Sequence, residues 1–391
     1  MLHTLAGQPL VAHVLQTARA LNAERIHVVV GHGAEAVEAT VSAPDVQCHL
    51  QAEQLGTGHA VQQAMDACDP TSTVLVLFGD VPLITKDALE DVVAAAERSI
   101  AMLSATLDNP SGYGRVVRDE NGAFVAVVEE KDATSEQRSL QEIHTGVLAA
   151  NAEQLGAWLD RVDNRNAQSE YYLPDVLGLA LEDDMPVTVV CSDNDFDSQG
   201  VNTPQQLEQL ERQHQLALAD QLMTGGVLVS DGSRLDIRGR LKCGRDVRID
   251  VNVVIEGNVS LGDGVSIGAN CIVRDAQIGA GTRVLPFTYI DGAEVLSDAV
   301  VGPYARLRPG TVIGEQAKVG NFVEVKNTRV GKAAKANHLA YLGDADIGSQ
   351  SNVGAGTITC NYDGANKHRT TLGEGVFVGS NSTLVAPLVI E

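Results

Sequence analysis

His338 stands in KAAKANHLAYLGD (332–344), with Tyr341 three residues on and Lys332 and Lys335 just upstream. A neutral imidazole takes up a proton near neutral pH, so it suits attack by an amine on an acyl donor, in which the amine must shed a proton. Arg306 and Arg308 in YARLRPG, then Asn321, Glu324 and Lys326 in NFVEVKN, lie upstream. Guanidinium and ammonium groups together suit a sugar phosphate, the first gripping oxygens in pairs and the second acting as a point charge. Another candidate is Asp80, which closes the apolar run TVLVLFGD (73–80). Ligands of open α/β sheets bind at the carboxyl ends of strands, and a carboxylate there can hold Mg²⁺ together with substrate phosphates. Each has a plainer reading: a structural histidine, a solvated charged edge, a turn residue.

The elements that carry these residues have a legible pattern. Past Gly225 an aliphatic residue returns every sixth position, at Ile237, Ile249, Ile255, Leu261, Ile267 and Val273, with Cys243 in the one other slot. The register slips by one to Ile278, Val284, Ile290 and Leu296, and again to Val301, Leu307, Ile313, Val319 and Val325. It is regained at Leu372, Val378, Leu384 and Ile390. A six-residue repeat predicts a left-handed parallel β-helix, three short strands to a coil of about eighteen residues, each aliphatic side chain stacking inward on the next coil. Sandwich strands would instead alternate with period two. In a solenoid, residues of successive coils share a wall, so the Arg, Lys and Asn residues above can face His338. Between Val330 and Leu342 no aliphatic residue holds the inward position, which predicts a loop leaving the wall, and repeat proteins place function on such loops.

Residues 1–201 alternate helical stretches with β-branched runs: PLVAHVLQTARALNA (9–23), RIHVVVG (25–31), GAEAVEATVS (33–42), VQCHLQA (46–52), GTGHAVQQAMDAC (56–68), KDALEDVVAAAERS (86–99) and IAMLSATL (100–107). This predicts a Rossmann-like α/β domain around a mixed sheet. A hairpin is expected around GYGRVVRDENGAFVAVVEE (112–130). TPQQLEQLERQHQLALADQL (203–222) reads as one long helix, so residues 202–224 are expected to link this domain to the β-helix of 225–391.

The 391 residues carry 51 acidic and 28 basic side chains, a formal charge of −23. That argues against nucleic-acid binding and confines any phosphate site to a local cluster of cations. The six cysteines make no Cys-x-x-Cys pair, so neither a disulfide framework nor a zinc site is expected, and a reducing cytoplasm fits. No apolar run approaches the ~20 residues of a membrane span, and no signal peptide is read at the N-terminus.

ARLRPG (305–310), VGNFVEVKN (319–327), KANHLAYLGDADIG (335–348) and NVGAGTITCNYDGANKHRT (352–370) resemble the acetyltransferase half of the bacterial bifunctional family that makes UDP-N-acetylglucosamine. The likeness extends to LQAEQLGTGHA (50–60), FGDVPL (78–83), GYGR (112–115), VVEEKDA (127–133), EIHTGVLAAN (142–151), EYYLPD (170–175) and QGVNTP (199–204), which resemble its uridyltransferase half. The resemblance implies acetylation of glucosamine 1-phosphate by acetyl-CoA, then Mg²⁺-dependent uridylyl transfer from UTP, in a homotrimer. It implies that His338 is the general base, supported by Glu324, and that Arg308, Lys326, Tyr341 and Asn352 bind glucosamine 1-phosphate. Ala355, Asn361, Tyr362 and Ser380 would meet the acetyl donor. In the first domain Gln51, Gly56 and Thr57 would bind uridine and Gly114 and Glu129 the N-acetylglucosamine moiety; Phe78, Gly79, Asp80, His144 and Asn202 would also bind UDP-N-acetylglucosamine, Asp80 and Asn202 holding the metal as well.

Two departures stand out. His144 occupies the place of the family's usual Asn, and its imidazole reproduces one hydrogen bond but not the amide's paired donor and acceptor. Relatives also begin with an apolar strand and a Gly-rich phosphate loop, and no such stretch occurs here. With the last coil ending at VAPLVIE, the chain is expected to be truncated at both ends, with uridylyl transfer slow and acetyl transfer weakened. Two rival readings are a monofunctional sugar nucleotidyltransferase with an oligomerising β-helix, and a non-enzymatic scaffold. The His338 segment and the persistence of GTITCNYDGAN speak against them.

Overall fold

A computed structural model describes residues 1–391, all but the side chain of Asp195. The chain divides into two compact units, Met1–Thr4 with Pro9–Leu207, and Leu5–Gln8 with Glu208–Glu391.

The chain opens with β1 (Thr4–Leu5) and β2 (Gln8–Pro9), which pair with each other and whose Leu5 and Gln8 belong to the second unit. Pro9 caps α1 (Leu10–Ala20), whose Leu10, Val11, Val14 and Leu15 form one buried stripe. β3 (Ile26–Val30), α2 (Ala34–Val41) and β4 (Val46–Leu50) make a parallel crossover, with Ile26, Val28, Val46 and Cys48 packed on Val11, Leu15 and Val41. There follow α3 (Thr57–Met65), β5 (Thr73–Val76), α4 (Lys86–Ala95), β6 (Ile100–Thr106), β7 (Arg115–Arg118), β8 (Phe124–Val128), α5 (Ser135–Arg138), β9 (Glu142–Asn151), α6 (Ala152–Leu159), α7 (Asp175–Glu182) and β10 (Val187–Ser192). β9 is the hub: β5, β6 and β7 all run antiparallel to it, β8 pairs β7, and β10 joins β6 in parallel. Because β6 and β9 are covered on both faces, they read as continuous buried runs. The β3–β4 ladder is separate from this six-stranded sheet.

α8 (Pro204–Thr224) matches the long helix expected over 203–222, starting one residue later and ending two residues later. Its later turns belong to the second unit, where Glu211 accepts the backbone N–H of Ala6 at 2.7 Å and Gln215 exchanges hydrogen bonds with the main chain of Ile237.

From Leu228 onward the chain is the expected left-handed parallel β-helix. Nine strands form one wall, and sixteen, folded across two walls, form the others. Ile237, Ile255, Val273, Ile290, Leu307, Val325 and Leu342 stack inward on one wall, and Ile249, Ile267, Val284, Val301, Val319, Ala336, Val353 and Val378 on another, all buried. The register slips are coils of 17 residues among coils of 18, as in Val273↔Ile290 beside Ile237↔Ile255. Left-handed residues recur at the corners of coils of both lengths. Most such corners are Gly, Asn or Asp, but one edge places Phe287, Tyr304, Phe322 and Leu339 there, with exposed side chains. The three rings stack on one another at 4.9 and 5.3 Å.

One expectation is corrected. KAAKANHLAYLGD does not leave the wall: Lys335–His338 and Tyr341–Gly343 are ordinary strands, and Ala334, Ala336 and Ala340 point inward and are buried. At 336 alanine simply fills a slot that holds valine in the coils before and after. The true excursion is Asn361–Arg369, where the partners Val353 and Val378 are 25 residues apart.

Among the described residues no helix is long and apolar enough to cross a membrane. The stacked core predicts that Leu307→Ala, at a fully buried position, costs about 2–5 kcal/mol, read from the denaturant midpoint. A cost under about 1 kcal/mol would contradict it.

Candidate functional site

Parallel register decides what His338 meets. It lies directly above Asn321, and its Nδ1–H donates to Asn321 Oδ1 at 2.7 Å. That bond fixes the tautomer and leaves the Nε2 lone pair available as a base. Counting two residues on from the Ala336–Val353–Val378 rungs, His338, Ala355 and Ser380 follow one another up the same column. Glu324, expected to support the base, instead accepts from Arg308 Nη1 at 2.8 Å and lies 3.8 Å from Arg306. The side chain that His338 meets is Asn321.

At the other edge of the adjoining wall Arg308, Lys326 and Gly343 form a second column, and Arg306, Glu324 and Tyr341 the one beside it. A Cβ on Gly343 would run into the Tyr341 phenol, so the glycine makes room for that ring. The Lys367 ammonium lies within hydrogen-bonding reach of Lys326 and, with Arg308, holds the Lys326 pKa below its usual value. Two ammonium groups in contact repel each other, and the nearby Asp344 carboxylate partly offsets this at Lys326. Behind them Asp344 is buried. Burial alone would raise its carboxyl, but the amides of Asn327 (2.5 Å) and Asn361 and the charges of Lys326 and Lys367 hold it low.

In the first unit a second cluster forms around β9. The register shift between β6 and β9 falls at Thr145–Val147, where Gly146 has φ +92° and a Cβ would fall inside the Phe78 ring. Bulges of this kind re-aim side chains beside sites. His144, just before it, donates its N–H to the Gly114 carbonyl at 2.9 Å, and Glu129 lies against Gly114. Burial, reinforced by Asp175, raises the Glu129 carboxyl. The His144 ring is buried, and its Nε2 has no partner among the described residues. At the start of α3, Gly56 has φ +117° and a Cβ there would strike the Tyr171 carbonyl, while Gln51 Nε2 donates to the Gly56 carbonyl at 3.1 Å. Thr57 Oγ1 accepts from the Leu173 N–H at 3.0 Å. Asp80 Oδ2 and Asn202 Nδ2 both lie 3.9 Å from where a Cβ on Gly200 would stand, and burial raises the Asp80 carboxyl. One carboxylate and one amide oxygen fit Mg²⁺, which keeps waters and substrate phosphates as its remaining ligands. No group of three or more His, Cys, Asp or Glu able to hold a metal exists among the described residues.

A family model described as a MobA-like NTP transferase domain matches residues 1–154. The bifunctional protein GlmU of Paraburkholderia phytofirmans is 55% identical over 392 residues, covering 100% of this chain and 86% of that protein. GlmU of Burkholderia multivorans is 54% and of Burkholderia vietnamiensis 55% identical, each over 99% of this chain and 86% of the relative. The chain belongs to the bifunctional GlmU family.

The residues expected from the family likeness fall into groups. Arg308, Lys326 and Tyr341 share one wall, and Ala355 and Ser380 share the His338 column. Asn352 lies on the wall before that column, level with Lys335 and Phe377. Asn361 and Tyr362 are apart from Ala355 and Ser380, at the foot of the excursion beside Asp344. Gly114, Glu129 and His144 are together, as are Asp80 and Asn202. Two functional candidates escaped the sequence reading. Lys367 and Asp344 sit inside quoted motifs, but only the fold shows that the excursion returns Lys367 to Lys326.

Burial brings the His144 imidazole from 6.5 down to about 4. The folded chain therefore binds fewer protons than the unfolded one between those values, and stability falls as pH drops through that window, by up to about 3 kcal/mol. His144→Asn should flatten the fall of the unfolding midpoint between pH 7 and 4.5. Identical slopes in both proteins would contradict the burial of a neutral ring.

Proposed function

We propose that the chain acetylates the amine of glucosamine 1-phosphate with acetyl-CoA, then transfers a uridylyl group from UTP to the product, giving UDP-N-acetylglucosamine and pyrophosphate. The observation that carries the first step is the pairing of a base held by Asn321 with a cation cluster on the adjoining wall. Arg308, Lys326 and Lys367 take the phosphate, with Arg308 aimed by Glu324. Tyr341 lies between them and His338, and Asn352 closes the acceptor site. His338 Nε2 removes a proton from the amine as its nitrogen attacks the thioester carbonyl. The C–S bond then breaks, and the thiolate leaves with the proton carried by the imidazole. Ala355 and Ser380 line the donor's path above the base. Asn361 and Tyr362 reach a donor from the opposite edge, which suits a neighbouring subunit in a homotrimer closed by rotation.

For the second step Gln51, Gly56 and Thr57 hold the uridine, while Gly114, Glu129 and His144 hold the N-acetylglucosamine. The unpartnered His144 Nε2 gains a sugar hydroxyl there. Phe78 and Gly79 border the phosphates. Mg²⁺, carried by Asp80 and Asn202, would neutralise charge on the triphosphate. The sugar phosphate's oxygen attacks the α-phosphorus and pyrophosphate leaves.

The two sites should fail separately. His338→Ala should lower acetyl-CoA-dependent thiol release by about 10²–10⁴-fold while sparing UTP-dependent pyrophosphate release, and Asp80→Ala the reverse. Unchanged thiol release in His338→Ala would remove the base from this role. Loss of both activities in either variant would contradict two independent sites.

A further inference from the structure

The excursion Asn361–Arg369 is a cross-braced hairpin. Its feet are fastened to the β-helix: the Asn361 amide donates to Asp344, and Arg369 grips Asp346 in two bonds of 2.5 and 2.8 Å. Its neck is closed by the His368 N–H to the Asn361 carbonyl at 2.8 Å and by a bridge between Tyr362 and Lys367. The tip folds around one exposed carboxylate. Asp363 Oδ1 accepts the backbone N–H groups of Ala365 (2.8 Å) and Asn366 (2.6 Å), and Oδ2 accepts His368 Nε2–H at 2.7 Å. The Asn366 N–H and then His368 hold its pKa well below the carboxylate range. The Asp363 carboxylate bonds only Ala365, Asn366 and His368, none of which is placed at substrate. What it controls is the strand that ends in Lys367, and Lys367 would leave Lys326 if the hairpin opened, since like charges repel.

We propose that Asp363, through the Ala365 and Asn366 amides and His368, is a positioning residue that keeps the hairpin closed so that Lys367 and Lys326 grip one phosphate dianion. This rests on the reading of Arg308, Lys326 and Lys367 as the sugar-phosphate site. The clamp offsets the repulsion between the two ammonium groups before the ligand arrives, so binding does not have to order the loop.

Calorimetric titration of the chain with glucosamine 1-phosphate tests this. Asp363→Ala should weaken binding about tenfold, the worth of a charge-assisted hydrogen bond. Asp363→Asn, which keeps an oxygen for the two amides, and His368→Gln, which removes the imidazole from Oδ2, should each weaken it about threefold. The double variant Asp363→Ala with Lys367→Ala should bind no more weakly than Lys367→Ala alone, because the clamp acts only through that lysine. Unfolding midpoints within a degree or two of the parent's would show that each variant is folded. Unchanged binding in Asp363→Ala, or additive losses in the double variant, overturns the proposal. If Lys326→Ala and Lys367→Ala also bind normally, the sugar-phosphate reading itself fails. If they bind weakly and Asp363→Ala does not, only the positioning role fails.

Discussion

The inward stacking of aliphatic side chains at a spacing of 17 or 18 residues is the constraint on which the proposed acetyl-transfer site depends. Each rung is in parallel register with the next, and neighbouring strands lie about 4.8 Å apart. A slip of one residue would turn every inward side chain outward, so the buried columns also fix which outward residues are neighbours. Asn321 meets His338 because Val319 sits beneath Ala336. Arg308 meets Glu324 and Lys326 because Leu307 sits beneath Val325. The chemistry is thus positioned by a core that contains none of it.

Electrostatics explains why the site is concentrated in so little surface. A chain carrying −23 repels phosphates over most of its surface. Binding one requires several cations brought together against that field. The β-helix supplies Arg308 and Lys326 from adjacent coils, and the hairpin returns Lys367 to them. The buried Asp344 carboxylate behind this cluster limits its net charge without occupying it. The first unit shapes its own proposed site through its backbone: a bulge at Gly146, a glycine with positive φ at the head of α3, and the buried His144 Nε2 with no partner among the described residues.

Fold class was legible in the sequence because both units announce themselves by period, six for the solenoid and alternating helix and strand for the mixed sheet. The site was legible in part. His338, Arg308 and Lys326 could be picked out by residue type and motif, but the reason offered for His338, a loop leaving the wall, was mistaken. Ala336 is too small to register as a core residue in a pattern of aliphatics, though between Val319 and Val353 it fills the slot completely. Partners across coils were less accessible. Glu324 and Asn321 both lie near His338 in the sequence, and only the register shows that the amide, not the carboxylate, faces the imidazole. Lys367 was hidden for a similar reason, since nothing local indicates that Asn361–Arg369 doubles back.

The account's central claim is that one wall of the β-helix holds the phosphate and presents the amine to His338. The most direct measurement is a crystal structure of the chain with glucosamine 1-phosphate bound. The account predicts a phosphate contacted by Arg308, Lys326 and Lys367, and a sugar nitrogen about 3 Å from His338 Nε2. A phosphate seated away from Lys326, or an amine turned from the imidazole, would contradict it.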